Sequence, residues 1–367
     1  MRMVIFGLSI TSSWGNGHAT TYRGLVRELS ARGHDVLFLE RDVPWYADHR
    51  DLEQFSAGRI ELYRDLDALR SQFHEAIAQA DFVMIGSFVP EGVAVAEWVM
   101  ATAPRVVAFY DIDTPVTLGK LQRGEAEYIN AELIPRYHLY LSFSGGPTLE
   151  KLEQEYGSPM ARPLYCSVDP ESYFPEPLEK TWDLGYIGTY STDRQPALQS
   201  LLIQPARRWP QARFVVAGPQ YPPGIYWPSN VDRIEHLPPN EHRQFYNAQR
   251  YTLNVTRAEM IEAGYSPSVR LFEAAACGTP IISDYWEGLE EFFELGEEIL
   301  IARSADYTLR YLQDIPESER REIAERARKR VLEKHTAAHR ASELESYIEE
   351  LLRRQEQPLP QQEIGSL

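Results

Sequence analysis

Cysteine is scarce: Cys166 and Cys277 are the only two in 367 residues. Two cysteines cannot build a disulfide framework or a zinc site, so they read as free thiols in a reducing compartment. Positive charge is scarce as well, with 37 Lys plus Arg against 54 Asp plus Glu and a formal net charge of −17. Binding along a nucleic-acid duplex needs a basic face and is excluded; a nucleotide ligand is not, because a pocket needs only one or two cations. Long apolar runs are missing too. The opening MRMVIFGLSI falls short of the ~20 residues that span a bilayer. It runs into Ser12-Ser13-Trp14 rather than a small-residue cleavage site. A buried first strand and a cytoplasmic location, without stable membrane insertion, are the expectation. No repeat of short period is present.

What is there is a core-forming chain: 43% of the residues are hydrophobic and 25% charged. At roughly 150 residues per domain, two domains are expected. Short apolar runs at Met3–Leu8, Asp35–Leu39, Phe82–Gly86, Val106–Tyr110 and Leu139–Phe143 alternate with helical patterns such as Thr20–Ala31. Continuous apolar strands between helices predict a parallel sheet covered on both faces. Pro163, Pro170, Pro175 and Pro177 then mark a linker, since prolines so dense do not fit a central strand or helix. The alternation restarts with strands at Asp183–Ile187, Arg213–Ala217, Val231–His236, Tyr251–Val255, Pro280–Ser283 and Ile299–Ala302. Helices are expected at Gln195–Arg207, Asn240–Ala248, Pro267–Cys277 and Leu289–Leu295, and a charged amphipathic stretch at Glu317–Arg354. The predicted fold is α/β, with domains at residues 1–168 and 169–335, a helix at 336–354 and a polar tail at 355–367.

Four segments carry chemistry. Between the first strand and helix, Gly15, Asn16 and Gly17 let backbone approach a ligand before His18 opens the helix. Gly15, Gly17 and Thr20, with Glu40 ending the second strand, mimic a dinucleotide fingerprint. The spacing after Leu8 and the missing third glycine speak against it. Val106–Asp113 is a strand ending in Asp111-Ile112-Asp113, two carboxylates at a sheet's carboxyl edge. Three roles stay open for that pair: holding Mg²⁺ or Mn²⁺ on phosphates, orienting a substrate hydroxyl, or capping the turn that Pro115 enforces. Gly145 and Gly146, before Pro147, form another anion-ready helix start. His18, Asp113 and this glycine pair all follow strand ends of one sheet, so they are expected to line one wall of a cleft.

The fourth segment runs from Gly264 to Pro280. Ser266 suits an N-cap, Pro267 the first helical position and Gly278 a left-handed stop. Arg270 and Glu273 then share one face near the helix start. An Arg beside a helix N-terminus suits a diphosphate, and a Glu one turn deeper suits sugar hydroxyls. A surface ion pair of little consequence is the plain alternative.

Phe272-Glu273-Ala274-Ala275-Ala276-Cys277-Gly278-Thr279-Pro280 resembles the signature of retaining GT-B glycosyltransferases of the group 1 type. Ser268-Val269-Arg270-Leu271-Phe272-Glu273 is closer still to the CgeB-like (spore-maturation glycosyltransferase-like) branch. Cys166-Ser167-Val168-Asp169-Pro170 with Phe174-Pro175, Leu184–Thr189 and Phe214–Pro219 resemble the family's interdomain stretch and the strands of its nucleotide domain. The resemblance implies two Rossmann-like domains facing each other across a cleft, with a C-terminal helix crossing back to the first. It implies transfer of a sugar from a nucleotide-diphosphate sugar to an acceptor hydroxyl on a glycan, small molecule or protein. It implies no cofactor and no metal. The donor would meet Gly188, Thr189, Arg194, Ser266, Ser268, Val269, Arg270 and Glu273. The acceptor side would hold Gly15, Asn16, Gly17, Asp111, Gly145 and Gly146, with His18 and Asp113 catalytic. Where the family pattern carries a second Glu eight residues before Glu273, this chain has Tyr265, with Glu259 and Glu262 nearby. A sugar-nucleotide epimerase or hydrolase, or a non-catalytic carbohydrate-binding protein, is the alternative reading.

Overall fold

The computed structural model describes residues 1–52 and 55–356. Two all-parallel sheets organise the chain. The first contains β1 (Arg2–Gly7), β2 (Asp35–Arg41), β3 (Arg59–Tyr63), β4 (Phe82–Gly86), β5 (Val106–Asp111), β6 (Leu139–Ser142) and β7 (Ala161–Pro163). Its order is β3-β2-β1-β4-β5-β6-β7. The second contains β8 (Trp182–Ile187), β9 (Phe214–Ala217), β10 (Val231–Ile234), β11 (Gln249–Asn254), β12 (Ile281–Ser283) and β13 (Leu300–Ile301), in the order β10-β9-β8-β11-β12-β13. Strand order reverses between β1 and β4 in one sheet and between β8 and β11 in the other. Such switch points open crevices at the carboxyl ends of the strands.

Each sheet is buried on both faces by apolar side chains, which is why its central strands read as unbroken hydrophobic runs. Strand β3 was not expected, because an edge strand needs only one buried face and Arg59-Ile60-Glu61 stays largely exposed. Strand β7 also lies at an edge, where Pro163, expected in a linker, is tolerated for want of a further ladder partner. Leu289–Leu295, expected as a helix, is a single turn at Leu289–Glu291.

The chain crosses between the halves twice. Val168 donates to the His335 carbonyl and accepts from the Ala337 N–H, at 3.1 and 2.9 Å. The last helix, Ala337–Glu356, then returns to the first half. Its Ala341, Leu344, Ile348 and Leu351 recur at helical spacing and bury with Ile5, Leu25 and Leu29. Burying a Leu or Ile contributes about 1.5–3 kcal/mol each, so this helix is part of the first domain's core. The expected polar tail begins within this helix, and its part from residue 357 lies outside the described residues. Among the described residues no helix is long and apolar enough to cross a membrane.

Candidate active site

The carboxyl edges of the two sheets face each other and enclose two adjoining cavities. The first, about 180 Å³, lies between the glycine loop of the first half and Gly188, Gly218, His236 and Glu273 of the second. The second, about 300 Å³, is lined by His18, Asp113, Arg194, Thr256, Arg257 and Ser268 among others. Gly17, Val269 and Arg270 line both.

Arg270 is the hinge of the arrangement. It stands in the first turn of the helix Val269–Ala276, where N–H groups lack intrahelical partners. Its Nε donates to the Ile187 carbonyl at 2.8 Å and its Nη1 to Asn254 Oδ1 at 2.7 Å. Those two residues end β8 and β11, so the guanidinium spans the switch point of the second sheet. Its face rests over the Tyr186 ring at 4.9 Å. A Cβ on Gly188 would fall 2.5 Å from the Tyr186 hydroxyl and 3.1 Å from Nη2, so a side chain there would displace the ring beneath the guanidinium. One turn deeper, Glu273 is buried and takes a 3.0 Å bond from the Tyr246 hydroxyl, with His242 Nδ1 at 3.9 Å.

Arg194 lines the second cavity and donates to the Thr189 carbonyl at 2.6 Å, while its Nε is buried without a partner. Ser268, the residue before the helix, gives its hydroxyl to Asn254 Oδ1 at 2.8 Å. Ser266 was expected as the N-cap. The helix begins two residues later, at Val269, because Ser266 is engaged elsewhere. It donates to the Gly264 carbonyl at 2.7 Å and meets Ser144 Oγ at 2.6 Å.

The glycine loop is built by Glu40, which is not a ribose ligand as the dinucleotide pattern would have it. It is fully buried and accepts bonds from Ser9, Ile10 and Thr11, including 2.7 Å from the Ile10 N–H. Gly15, Asn16 and Gly17 line the first cavity, but the Asn16 side chain is spent internally. It donates to the Ser9 and Ser12 carbonyls and accepts from the His18 N–H at 3.1 Å. That bond sets the start of the helix His18–Ala31.

His18 and Asp113 share the second cavity. Burial pushes the imidazole below its ordinary value of 6.5, and the charge of Asp113 opposes that shift only in part. His18 is therefore neutral at neutral pH, and its Nδ1 is buried without a partner.

Three acceptor-side residues do not reach the cavities. Asp111 is fully buried. It accepts from Thr117 Oγ1 at 2.9 Å, Tyr140 at 2.6 Å and the Asp113 N–H at 3.2 Å. Desolvation outweighs those bonds and raises its pKa to about 7. Gly145 and Gly146 are covered rather than open. The Gly145 N–H donates to the Tyr265 carbonyl at 3.0 Å, and a Cβ on Gly146 would fall 2.4 Å from the Tyr265 ring. The anticipated single wall of His18, Asp113 and the glycine pair thus loses its third member. Glu259 and Glu262 are both exposed and line neither cavity.

Sequence reasoning missed His242 at the first cavity, Thr256 and Arg257 at the second, and Asn254 behind Arg270. Asn254 ends β11 and Thr256 and Arg257 follow it, and that strand end was a readable signal. Trp14 was also passed over; it stacks on His49 at 4.3 Å and meets His236 across the cleft at 4.2 Å.

Residues 194–346 match the family described as Glycosyl transferase-like. No curated protein matches the chain by sequence. Among solved structures it is similar to sucrose-phosphate synthase from Thermosynechococcus elongatus, at 14% identity and a TM-score of 0.70, over 96% of this chain and 99% of that one. It is similar to Anabaena HepE in complex with UDP and glucose, at 13% identity and 0.71, over 96% and 100%. An alpha-glucosyltransferase in complex with UDP and DNA gives 13%, 0.70, 95% and 99%. The fold is GT-B.

Proposed function

We propose that this glycosyltransferase moves a sugar from a uridine-diphosphate sugar to an acceptor hydroxyl, without a metal ion. The carrying observation is the pairing of Arg270 and Glu273 on one helix start, at the switch point of the second sheet and facing the cavities. A nucleoside fits the first cavity, with Glu273 accepting from ribose hydroxyls. The diphosphate fits between the first turn of Val269–Ala276, Arg270, Arg194 and the Gly188-Thr189 turn. UDP bound to the structural relatives HepE and alpha-glucosyltransferase supports uridine as the base.

In the reaction the acceptor oxygen forms a bond to the anomeric carbon as the bond to the diphosphate oxygen breaks, and the acceptor proton leaves. Arg270, Arg194 and the helix N–H groups meet the charge that develops on the leaving group. These fixed cations supply what a metal supplies elsewhere, and the engagement of Asp111 within the fold leaves Asp113 without a carboxylate partner for a cation. Neutral His18 and Asp113 face the acceptor side; in an inverting reaction the imidazole takes the acceptor proton, and in a retaining one the pair orients the hydroxyl while the leaving diphosphate takes it. Retention of anomeric configuration and membership of the CgeB-like branch rest on the Ser268–Pro280 resemblance. Residues 1–168 would then serve the acceptor and residues 169–335 the donor, in the cytoplasm.

The test is calorimetric titration with UDP, ADP and GDP, followed by turnover of UDP-sugars with excess chelator present. UDP binding and chelator-insensitive turnover are expected. Loss of turnover restored by Mn²⁺ would revive the metal reading, and donor breakdown without acceptor would make the protein a hydrolase or epimerase. The anomer of the product, read by NMR, settles stereochemistry; an inverted product makes His18 with Asp113 the base.

A further inference from the structure

Three guanidinium groups line the second cavity, those of Arg194, Arg257 and Arg270, against one carboxylate, Asp113. His18 does not add to the positive charge at neutral pH, since burial holds it below 6.5. If the first cavity holds a nucleoside diphosphate, two of the three arginines are accounted for. Arg270 and Arg194 are tied to the ends of β8 and β11 or to the turn after β8, beside the diphosphate position. Arg257 is left over.

The backbone on both sides of Arg257 is anchored, while its side chain is 38% exposed. On one side of it, Thr256 is clamped by Asp284, which accepts from its N–H and its hydroxyl, each at 2.7 Å. On the other side, the Ala258 N–H donates to Asp193 Oδ2 at 2.9 Å. The side chain itself is poorly satisfied. Its Nε is buried without a partner. The facing carboxylate oxygen, Asp113 Oδ2, lies 4.0 Å from Nη1, beyond hydrogen-bond distance. A buried donor left unmade is unfavourable, and a guanidinium fork matches a planar or tetrahedral oxyanion better than it matches a hydroxyl.

We propose that Arg257 recognises an anionic oxygen group, a carboxylate or a phosphate, on the transferred sugar or on the acceptor. A neutral hexose offers the fork only weak acceptors and leaves the cavity with excess positive charge. An anionic substituent bound by Arg257 balances it. It also leaves Asp113 free to face the attacked hydroxyl with His18. This proposal rests on the reading of the first cavity as a nucleotide site.

The experiment measures affinities of wild type, Arg257→Ala and Arg257→Lys. One arm compares UDP, UDP-glucose and UDP-glucuronate. The other, with UDP saturating, compares glucose, glucose 6-phosphate and inorganic phosphate. The expected result is a preference for the charged member in at least one arm, of about 10-fold or more. Arg257→Ala should erase that preference while UDP affinity stays within about twofold, and Arg257→Lys should retain part of it. Preference in the first arm places the anion on the donor sugar, and in the second on the acceptor. UDP binding with no charged preference in either arm, or a preference that survives Arg257→Ala, overturns this inference alone. Failure of wild type to bind UDP overturns the nucleotide reading, and this inference with it.

Discussion

Asp111→Asn separates the two carboxylates of the Asp111-Ile112-Asp113 pair. The wild-type side chain is fully buried, and its pKa rises from an ordinary 3.8 to about 7, chiefly through desolvation. At about 1.4 kcal/mol for each tenfold change, ionised Asp111 is less favourable in the fold than in the unfolded chain by about 4 kcal/mol. The sign follows from proton uptake. Between 3.8 and about 7 the folded state holds a proton that the unfolded state has lost, so stability falls as pH rises through that window. The destabilisation is complete above about pH 7 and absent below 3.8.

Asparagine removes the titration and retains Oδ1 as acceptor for Thr117 and the Asp113 N–H. The bond from the Tyr140 hydroxyl must reverse, which costs about 1–3 kcal/mol. The net expectation is a gain of about 1–3 kcal/mol at pH 8 that vanishes or reverses near pH 4. Urea unfolding of both proteins at pH 8, 6 and 4 reads it. Because Asp111 does not line the cavities, UDP affinity and turnover should change by less than about threefold. A stability difference that does not vary with pH would refute the burial argument. Abolished turnover would refute the claim that Asp111 is internal, and would point to a cation held jointly with Asp113.

Glu273→Gln and Arg270→Ala should each weaken UDP binding about tenfold or more in calorimetry, with charge-assisted bonds worth about 1.5–3 kcal/mol. Unchanged affinity in both removes the donor assignment. His18→Ala should lower kcat by about 10²–10⁴-fold if the imidazole takes the acceptor proton, and mainly raise the acceptor KM if it only orients. Its depressed pKa sets the acid limb of kcat/KM below 6.5, so a limb at or above that value contradicts its burial. Gly146→Ala introduces a Cβ at a φ of 53° and 2.4 Å from the Tyr265 ring. A loss of about 2–4 kcal/mol in urea melts is expected, partly relieved by Tyr265→Ala in the same chain.

The central strands were legible because parallel strands buried on both faces leave a continuous apolar signature, as in Phe82–Gly86 and Val106–Asp111. The edge strands of the first sheet were not, since Arg59–Tyr63 needs little burial and Ala161–Pro163 contains a proline. Arg270 and Glu273 could be placed from helix-start chemistry, which is local. Asp111 and Asp113 could not be told apart, because the strand ends between them and the turn sends one carboxyl inward and the other to the cavity. The choice between Ser266 and Ser268 was likewise settled by distant partners, Ser144 for one and Asn254 for the other. For Arg257 the local signal was only its place after a strand end; what singles it out comes from Asp193, Asp284 and Asp113, gathered from three other segments.

Tyr265 shows how a departure from a family pattern can be read in the structure. Its φ of 49° turns the side chain out of the path that leads to the helix Val269–Ala276. The ring lies between Gly146 of the first half and Gly288 of the second, where a Cβ on either glycine would come within 2.4 Å of it. Its N–H donates to the Glu287 carbonyl at 2.6 Å, and its own carbonyl accepts from Gly145 at 3.0 Å. A flat ring fits that slot; a glutamate there would leave both glycines uncovered and place a charge between two backbones. Position 265 therefore joins the two halves and lines neither cavity. The polar lining of the second cavity comes instead from side chains that follow the strand ends, Thr256 and Arg257 after β11 and Asp113 after β5, together with Arg194, Ser268 and Arg270.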